Sequence, residues 1–444
     1  MKNELLEKVL NAHKNLIVEG DIASGKTTNV LFSIVDKAID NKESLFILDS
    51  KEEYINKYYN KLKENDYNTI IINLRDLDKS DGWNPLEYLY DLYKNGNGDK
   101  AQEYLEKIGK VMFHEDGSQD PYWALTATDF FTGIVLGLFE DGKEKEINFN
   151  SINNMFNGID KKYGTNDYLT TYFKSKDVAS KPYIFASSTI LAPRDTKGSI
   201  LSVARQKLRL YVSREKLSHL MNKTTFNYDD VATKPTAIIF IARDENKSLN
   251  TLTTMFIEQL YSILIDKKSI RKFNFILDNF DIVENCYDLV DILGSCLARN
   301  KRLFIATRSL DNLSSQYGSY MTKLCDLIKI QNDDIMLVID NCEEKIAKNF
   351  EKTVINNTKI NYPILDTNKI ELFDLESYVI KDGSSKISTL DFPQSNMEPF
   401  KMDDLIKSID KKIEQLDMEE KIENSKYENV DIKSELEQFK IEDE

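Results

Sequence analysis

An apolar run, Asn15-Leu16-Ile17-Val18-Glu19, leads directly into Gly20-Asp21-Ile22-Ala23-Ser24-Gly25-Lys26-Thr27-Thr28. The string fits the phosphate-loop pattern G-x-x-x-x-G-K-[ST] with nothing out of place, which makes a nucleoside triphosphate the expected ligand. In such a loop the glycines let the backbone curl so that N–H groups face the phosphates, the residue at Lys26 reaches the outer ones, and the hydroxyl at Thr27 holds Mg2+. The loop residues Gly20, Ala23, Ser24, Gly25, Lys26, Thr27 and Thr28 are therefore assigned to ATP binding. The context agrees: Val30, Ile34 and Ala38 share a face at helical spacing, with Leu31 and Val35 flanking it. The helix this predicts over 28–39 would aim its positive N-terminal dipole at the anion. A glycine turn ahead of an ordinary helix is the alternative for the bare pattern, and strand and helix together weigh against it.

At 444 residues the chain is long enough for two or three domains. Cys286, Cys296, Cys325 and Cys342 show no C-x-x-C spacing, and His13, His114 and His219 lie far from them in sequence. Neither a zinc site nor a disulfide framework is indicated, so a reducing cytoplasm is the default expectation. The start, Met1 to Lys8, is charged and amphipathic rather than a secretory signal. The longest nearly uncharged apolar stretch, Phe130 to Phe139, is half what a bilayer-spanning helix needs, so no membrane span is expected. A net charge of −15 argues against general nucleic-acid affinity by counterion release. Residues 401–444 carry 8 Lys against 15 Asp and Glu, nearly half of that excess, which leaves room for a local basic lining elsewhere.

Continuous apolar runs at Leu16 to Glu19, Ser44 to Asp49, Thr69 to Asn73, Thr236 to Ala242, Phe273 to Asp278, Arg302 to Thr307 and Leu327 to Ile330 read as parallel strands covered on both faces. Helical stretches lie between them, so the fold class is α/β with a doubly wound, mostly parallel sheet. Residues 86–230 change character, with helical spacing at Leu86 to Tyr93, Ala101 to Phe113, Trp123 to Phe139 and Ile200 to Leu210. They read as an all-α inserted domain, in which Tyr183 to Leu191 is open between helix and strand. Residues 1–85 and 231–400 then form the P-loop nucleotide-binding domain, with an irregular stretch at 346–400 that carries strand-like pieces such as Glu376 to Ile380. In 401–444, Met402, Leu405, Ile409, Ile413 and Leu416 recur as one amphipathic helix leading into an acidic tail.

A phosphate-loop enzyme needs a carboxylate at the end of a neighbouring strand to hold the metal's water shell, and a second group to activate the attacking water. Asp278 ends the apolar run Phe273-Asn274-Phe275-Ile276-Leu277 and is assigned, with Thr27, to Mg2+. The next residue is Asn279, whose amide can orient a water but cannot take its proton. Asp281 is two residues further along a turn and is not expected to point at the same spot.

With these pieces in order, the chain resembles the TraG/TraD-like coupling proteins of type IV secretion, ATPases that bring DNA to a conjugation channel. Leu48-Asp49-Ser50-Lys51-Glu52-Glu53-Tyr54 is similar to that family's D-P-K-G-E-x-Y. Asn73-Leu74 with Asp81-Gly82-Trp83-Asn84-Pro85-Leu86 is similar to N-L…S-x-x-W-N-P-L, and Asp120-Pro121-Tyr122-Trp123 to D-P-[FY]-W. Pro235 to Phe240 with Asp244-Glu245, Met255-Phe256 and Gln259-Leu260-Tyr261 resembles its later strand and helix. Ser309-Leu310-Asp311-Asn312-Leu313 to Tyr317-Gly318 resembles Q-S-L-x-Q-L-x-x-x-Y-G. The likeness runs over about 12–345. It implies a RecA-like domain with an all-α insertion, a homo-hexameric ring with nucleotide between neighbours, and as partners single-stranded DNA, a relaxase complex and secretion-channel components. The setting implied is cytoplasmic, peripheral at the inner face of the membrane.

The departures matter for activity. Only 19 residues precede the loop, where the family carries a transmembrane region; Asn279 replaces its catalytic Glu, Arg308 its Gln before S-L, and Arg243 a Pro. The catalytic set is accordingly Lys26, Asp278, Asn279 and Arg308. Arg299 matches an arginine of the family's helix before the sensor strand, which suits either an approach to a neighbour's nucleotide or a solvated surface role. Arg205, Lys207 and Arg209 are the densest basic stretch of the insertion and suit either a DNA-lining or a wetted helix face. Three functions compete: a coupling-type ATPase, a hydrolysis-impaired ATP-binding scaffold of the same apparatus, and a HerA- or FtsK-like DNA translocase, against which the W-N-P-L and D-P-Y-W strings argue.

Overall fold

The computed structural model describes residues 14–113, 121–163, 166–283, 286–331 and 334–339. The stretch 346–400 with its strand-like pieces, and the helix and acidic tail of 401–444, lie outside the described residues. By contacts the described chain divides into two compact units, one of 14–87 with 214–339 and the other of 88–213.

The first unit is built on an eight-stranded sheet. Its strands are β1 (Asn15–Gly20), β2 (Ser44–Asp49), β3 (Asn68–Asn73), β4 (Thr236–Ile241), β5 (Phe273–Leu277), β6 (Lys301–Thr307), β7 (Cys325–Gln331) and β8 (Asp334–Ile339). Their order across the sheet is β8-β7-β1-β6-β5-β2-β4-β3, and every pairing is parallel except that of β7 with β8. The seven strands read from apolar runs are all present. The antiparallel edge strand β8 is an addition that the sequence reading did not contain.

The alternation of side chains along each strand explains the layers. All six residues of β2 are buried, because each face of the sheet is covered. Leu45 and Ile47 join one cluster with Ile34, Val35, Ala38 and Ile39 of α1 (Phe32–Asp40) and Tyr54, Tyr58 and Leu62 of α2 (Glu53–Glu64). Phe46 faces the other way and packs at 5.8 Å between ring centroids on Phe256, from the helix Asn250–Asp266.

Trp83, 1% exposed, anchors this second layer. It meets Phe256 edge-on at 4.8 Å, and its Nε1–H donates to Gln259 Oε1 at 2.9 Å. Gln259 Nε2 returns a bond to the Pro85 carbonyl at 2.7 Å, and Asn84 Nδ2 donates to the Asn222 carbonyl at 3.2 Å. The W-N-P-L string is thus a buried lock within the sheet unit. The helices Glu215–Leu220 and Tyr228–Thr233 belong to this unit, whereas the sequence reading set the insertion at 86–230.

The second unit is helical apart from one pair of two-residue bridges. Its central helix, Tyr122–Asp141, buries Phe130, Phe131, Ile134, Val135 and Leu138. That helix is long and apolar enough by length and composition to cross a membrane, yet 72% of its apolar window is buried inside the unit. It ends in Glu140 and Asp141, both bonded by the Lys176 ammonium at 2.6 and 3.0 Å. The open stretch 183–191 resolves as the helix Lys181–Ile190, with Pro182 in its first turn, where a missing N–H costs nothing. Arg205 pairs with Asp160 at 2.7 Å on a helix whose Ala204 and Leu208 are buried.

Candidate nucleotide-binding site

The two glycines of the loop are needed for different reasons. Gly25 sits at φ 86°, a left-handed conformation that costs glycine nothing. Gly20 is needed for closeness: a Cβ there would lie 2.4 Å from Ser24 Oγ and 2.7 Å from the Ile330 carbonyl oxygen of β7. Beyond Gly25 the chain enters a π-type turn, Lys26–Leu31, which runs into α1. No side chain caps this helix start, so its first N–H groups remain for an anion.

The Lys26 ammonium donates to the Gly20 carbonyl and, at 2.8 Å, to the Asp21 carbonyl. Lysine has three donors, so one remains for a phosphate oxygen. Burial holds the Lys26 ammonium below its ordinary range, opposed by the charges of Asp278 and Asp281. A bound polyphosphate would relieve that desolvation.

The metal side is built by chain topology. β6 lies between β1 and β5, yet the turns that follow β1 and β5 converge above it. Thr27 Oγ1 donates to Asp278 Oδ2 at 2.7 Å across 251 residues of sequence. The structure brings the two residues assigned to the metal into contact. Hydroxyl and carboxylate in contact form an oxygen donor set suited to a hexahydrated-type hard cation such as Mg2+. Together with the glycine cradle and the half-buried ammonium, this donor set fits a magnesium nucleotide, whose metal would neutralise phosphate charge when bound.

Three further residues bear on the site: Tyr54 and Glu19, which sequence reasoning did not assign to it, and Asp281, which it did not expect to point there. Tyr54, 1% exposed, donates its hydroxyl to the same Asp278 Oδ2 at 3.0 Å. Burial, followed by the Asp278 charge, keeps the phenol protonated far above its usual range. Asp281 accepts from Thr307 Oγ1 at 2.8 Å and from the Arg308 N–H at 3.1 Å, tying the end of β6 to the Asp278 turn. Glu19 accepts from the Leu310 N–H at 3.1 Å and pairs with Lys329 at 3.2 Å, bracing the foot of the loop. The contacts of Tyr54, Asp281 and Glu19 span 26 to 310 residues of sequence at least locally unpatterned, so no periodicity reveals them.

Asn279 stands in the left-handed region at φ 55°, and its Nδ2 donates weakly to Ser50 Oγ at 3.4 Å. Arg308 has its Nε 3.8 Å from Asp281 Oδ2, and its charge reaches Lys26. Arg299 precedes β6, at the end of the sheet where its parallel strands begin and opposite the phosphate loop, and donates to the Ser295 carbonyl at 3.2 Å.

Asp49 shapes the cleft wall without facing it. Its carboxylate collects the N–H groups of Lys51, Glu53, Tyr54 and Ile55 at 3.0 to 3.2 Å, satisfying the start of α2. Burial nevertheless pushes its pKa up to about 6. Asp49→Ala orphans those donors and is expected to cost about 2–3 kcal/mol in urea unfolding. Unfolding curves that superimpose on the wild type would remove this role.

A sheet in this order, with a phosphate loop after β1 and a metal-type aspartate after β5, defines a RecA-like P-loop protein. The chain belongs to the family described as Type IV secretory system Conjugative DNA transfer, which matches residues 11–358. Among solved structures it is similar to the bacterial conjugative coupling protein TrwBdeltaN70 with sulphate: TM-score 0.53, 15% identity, 71% of this chain and 70% of that one. It is also similar to the plasmid coupling protein TrwB in complex with the ATP analogue ADPNP, at TM-score 0.50 and 14% identity over 71% and 70% of the two chains. A further likeness is to TrwB with ADP and Mg2+, at TM-score 0.50 and 14% identity over 71% and 69%. No curated protein sequence matches the chain significantly.

Proposed function

We propose that this chain binds ATP with Mg2+ between residues 20–28 and Asp278 and acts as the coupling-type ATPase of a conjugative transfer system. In this reading it recruits or moves single-stranded DNA or a DNA–relaxase complex toward the secretion channel. It works on the cytoplasmic side of the membrane as a homo-hexamer. The carrying observation is the Thr27–Asp278 contact at 2.7 Å beside Lys26, in a chain of the conjugative DNA transfer family. The TrwB structures that hold ADPNP, or ADP with Mg2+, support the same ligand here. DNA would be tracked through its phosphates by ring-lining Lys and Arg with little sequence preference.

Asn279 favours a second reading, an ATP-binding scaffold of the same apparatus with impaired hydrolysis, because an amide cannot accept a proton. Calorimetry with Mg-ATP and phosphate release with and without single-stranded DNA separate the two. DNA-stimulated release that vanishes in Lys26→Ala is the expected result. Tight binding without turnover, restored by Asn279→Glu, would establish the scaffold, and flat calorimetry would end both readings.

A further inference from the structure

The acids around the metal-type carboxylate differ in what they are already doing. Asp281 spends one oxygen on Thr307 and the other on the Arg308 N–H. Glu19 is taken by Leu310 and Lys329, and Asp49 by four backbone donors. The carboxylates of Glu53 and Asp21 make no hydrogen bond or ion pair among the described residues. Both are exposed: Asp21 lies in the phosphate loop, and Glu53 opens α2 on a turn fixed from two sides. Asp49 binds the N–H groups of Glu53 and Tyr54, and the Tyr54 hydroxyl reaches Asp278 Oδ2 at 3.0 Å. Asn279 also contacts this connection, through Ser50. Burial raises the Glu53 pKa, the Lys51 charge opposes that rise and the Asp278 charge adds to it.

We propose that Glu53 takes the proton of the water that attacks the γ-phosphoryl group of ATP, doing from the first turn of α2 what residue 279 cannot, with Tyr54 as the positioning residue that docks that turn on Asp278. This inference rests on the reading that the cleft binds Mg-ATP. As the water oxygen bonds to the γ-phosphorus, its proton passes to a Glu53 oxygen. The bond from phosphorus to the bridging oxygen breaks, and its electron pair leaves on ADP. Inorganic phosphate is the other product, and Glu53 returns the proton to solvent.

The test uses the full chain, with calorimetry for Mg-ATP affinity and phosphate release in the presence of single-stranded DNA. Glu53→Gln is expected to keep affinity within about threefold while turnover falls by about 10²- to 10⁴-fold, the usual scale for loss of a general base. Tyr54→Phe keeps the ring packed against Phe32 and Tyr58 and is expected to lower turnover about 10- to 100-fold at unchanged affinity, as loss of an outer partner of a metal site does. Wild-type turnover in Glu53→Gln overturns the inference. So does a wild type that binds Mg-ATP without releasing phosphate, which would leave binding standing. Absence of Mg-ATP binding in the wild type would defeat the underlying reading as well.

Discussion

Replacing Lys26 by alanine is expected to weaken Mg-ATP binding by about 2–5 kcal/mol, the range for removing one partner of a desolvated charge pair. That corresponds to roughly 30- to several-thousand-fold in Kd. The ammonium is half-buried beside Asp278 and Asp281, and it already bonds the Gly20 and Asp21 carbonyls. Alanine removes the only side-chain cation of the loop and leaves the phosphates facing two acids. Folding should suffer little, because those carbonyls lie at a partly exposed loop that water reaches. Lys26→Arg is not expected to rescue binding, since a planar guanidinium cannot place one donor on each carbonyl and a third on phosphate. Calorimetry with Mg-ATP checks both variants alongside thermal melting. Unchanged affinity in Lys26→Ala would show that the nucleotide sits elsewhere.

The parts of this site that were legible in the sequence are those with local signatures. The phosphate loop is contiguous, its strand and helix carry their own periodicity, and Asp278 follows a continuous apolar run. The seven parallel strands were readable for the same reason: burial on both faces leaves an uninterrupted apolar stretch. What escaped depends on pairing across the chain. Tyr54 meets Asp278 across 224 residues, and Glu19 meets Leu310 across 291, distances at which no spacing rule operates. The edge strand β8 escaped because its Asp334-Ile335-Met336-Leu337-Val338-Ile339 pairs antiparallel with β7 through an irregular register, with only two residues between the strands. The stretch 183–191 was ambiguous because Thr189 and Ile190 are β-branched, and packing against the neighbouring helix Tyr122–Asp141 decided for helix over that weak propensity. The W-N-P-L string was read as a mark of kinship; its physical work, locking a loop to a helix, became visible only once Gln259 was seen to bond both Trp83 and Pro85.

That lock carries the largest stability effect expected in the sheet unit. Trp83→Ala should destabilise the chain by about 3–5 kcal/mol, as large-to-small changes of buried aromatics do. It empties the space against Phe256 and leaves Gln259 Oε1 without its donor. Trp83→Phe separates the two contributions. It retains much of the ring volume but not the indole N–H, so a loss of about 1–3 kcal/mol, the cost of a buried group left unsatisfied, is expected. The double variant Trp83→Phe with Gln259→Leu should recover part of that loss, because both polar partners then leave together. The residues of the lock are distinct from the Lys26, Thr27 and Asp278 set, so Trp83→Phe should keep Mg-ATP affinity within about threefold wherever it stays folded. Urea unfolding and calorimetry measure the two quantities independently. A Trp83→Phe protein of wild-type stability with lost nucleotide binding would reverse the assignment and make the string part of the site rather than its scaffold.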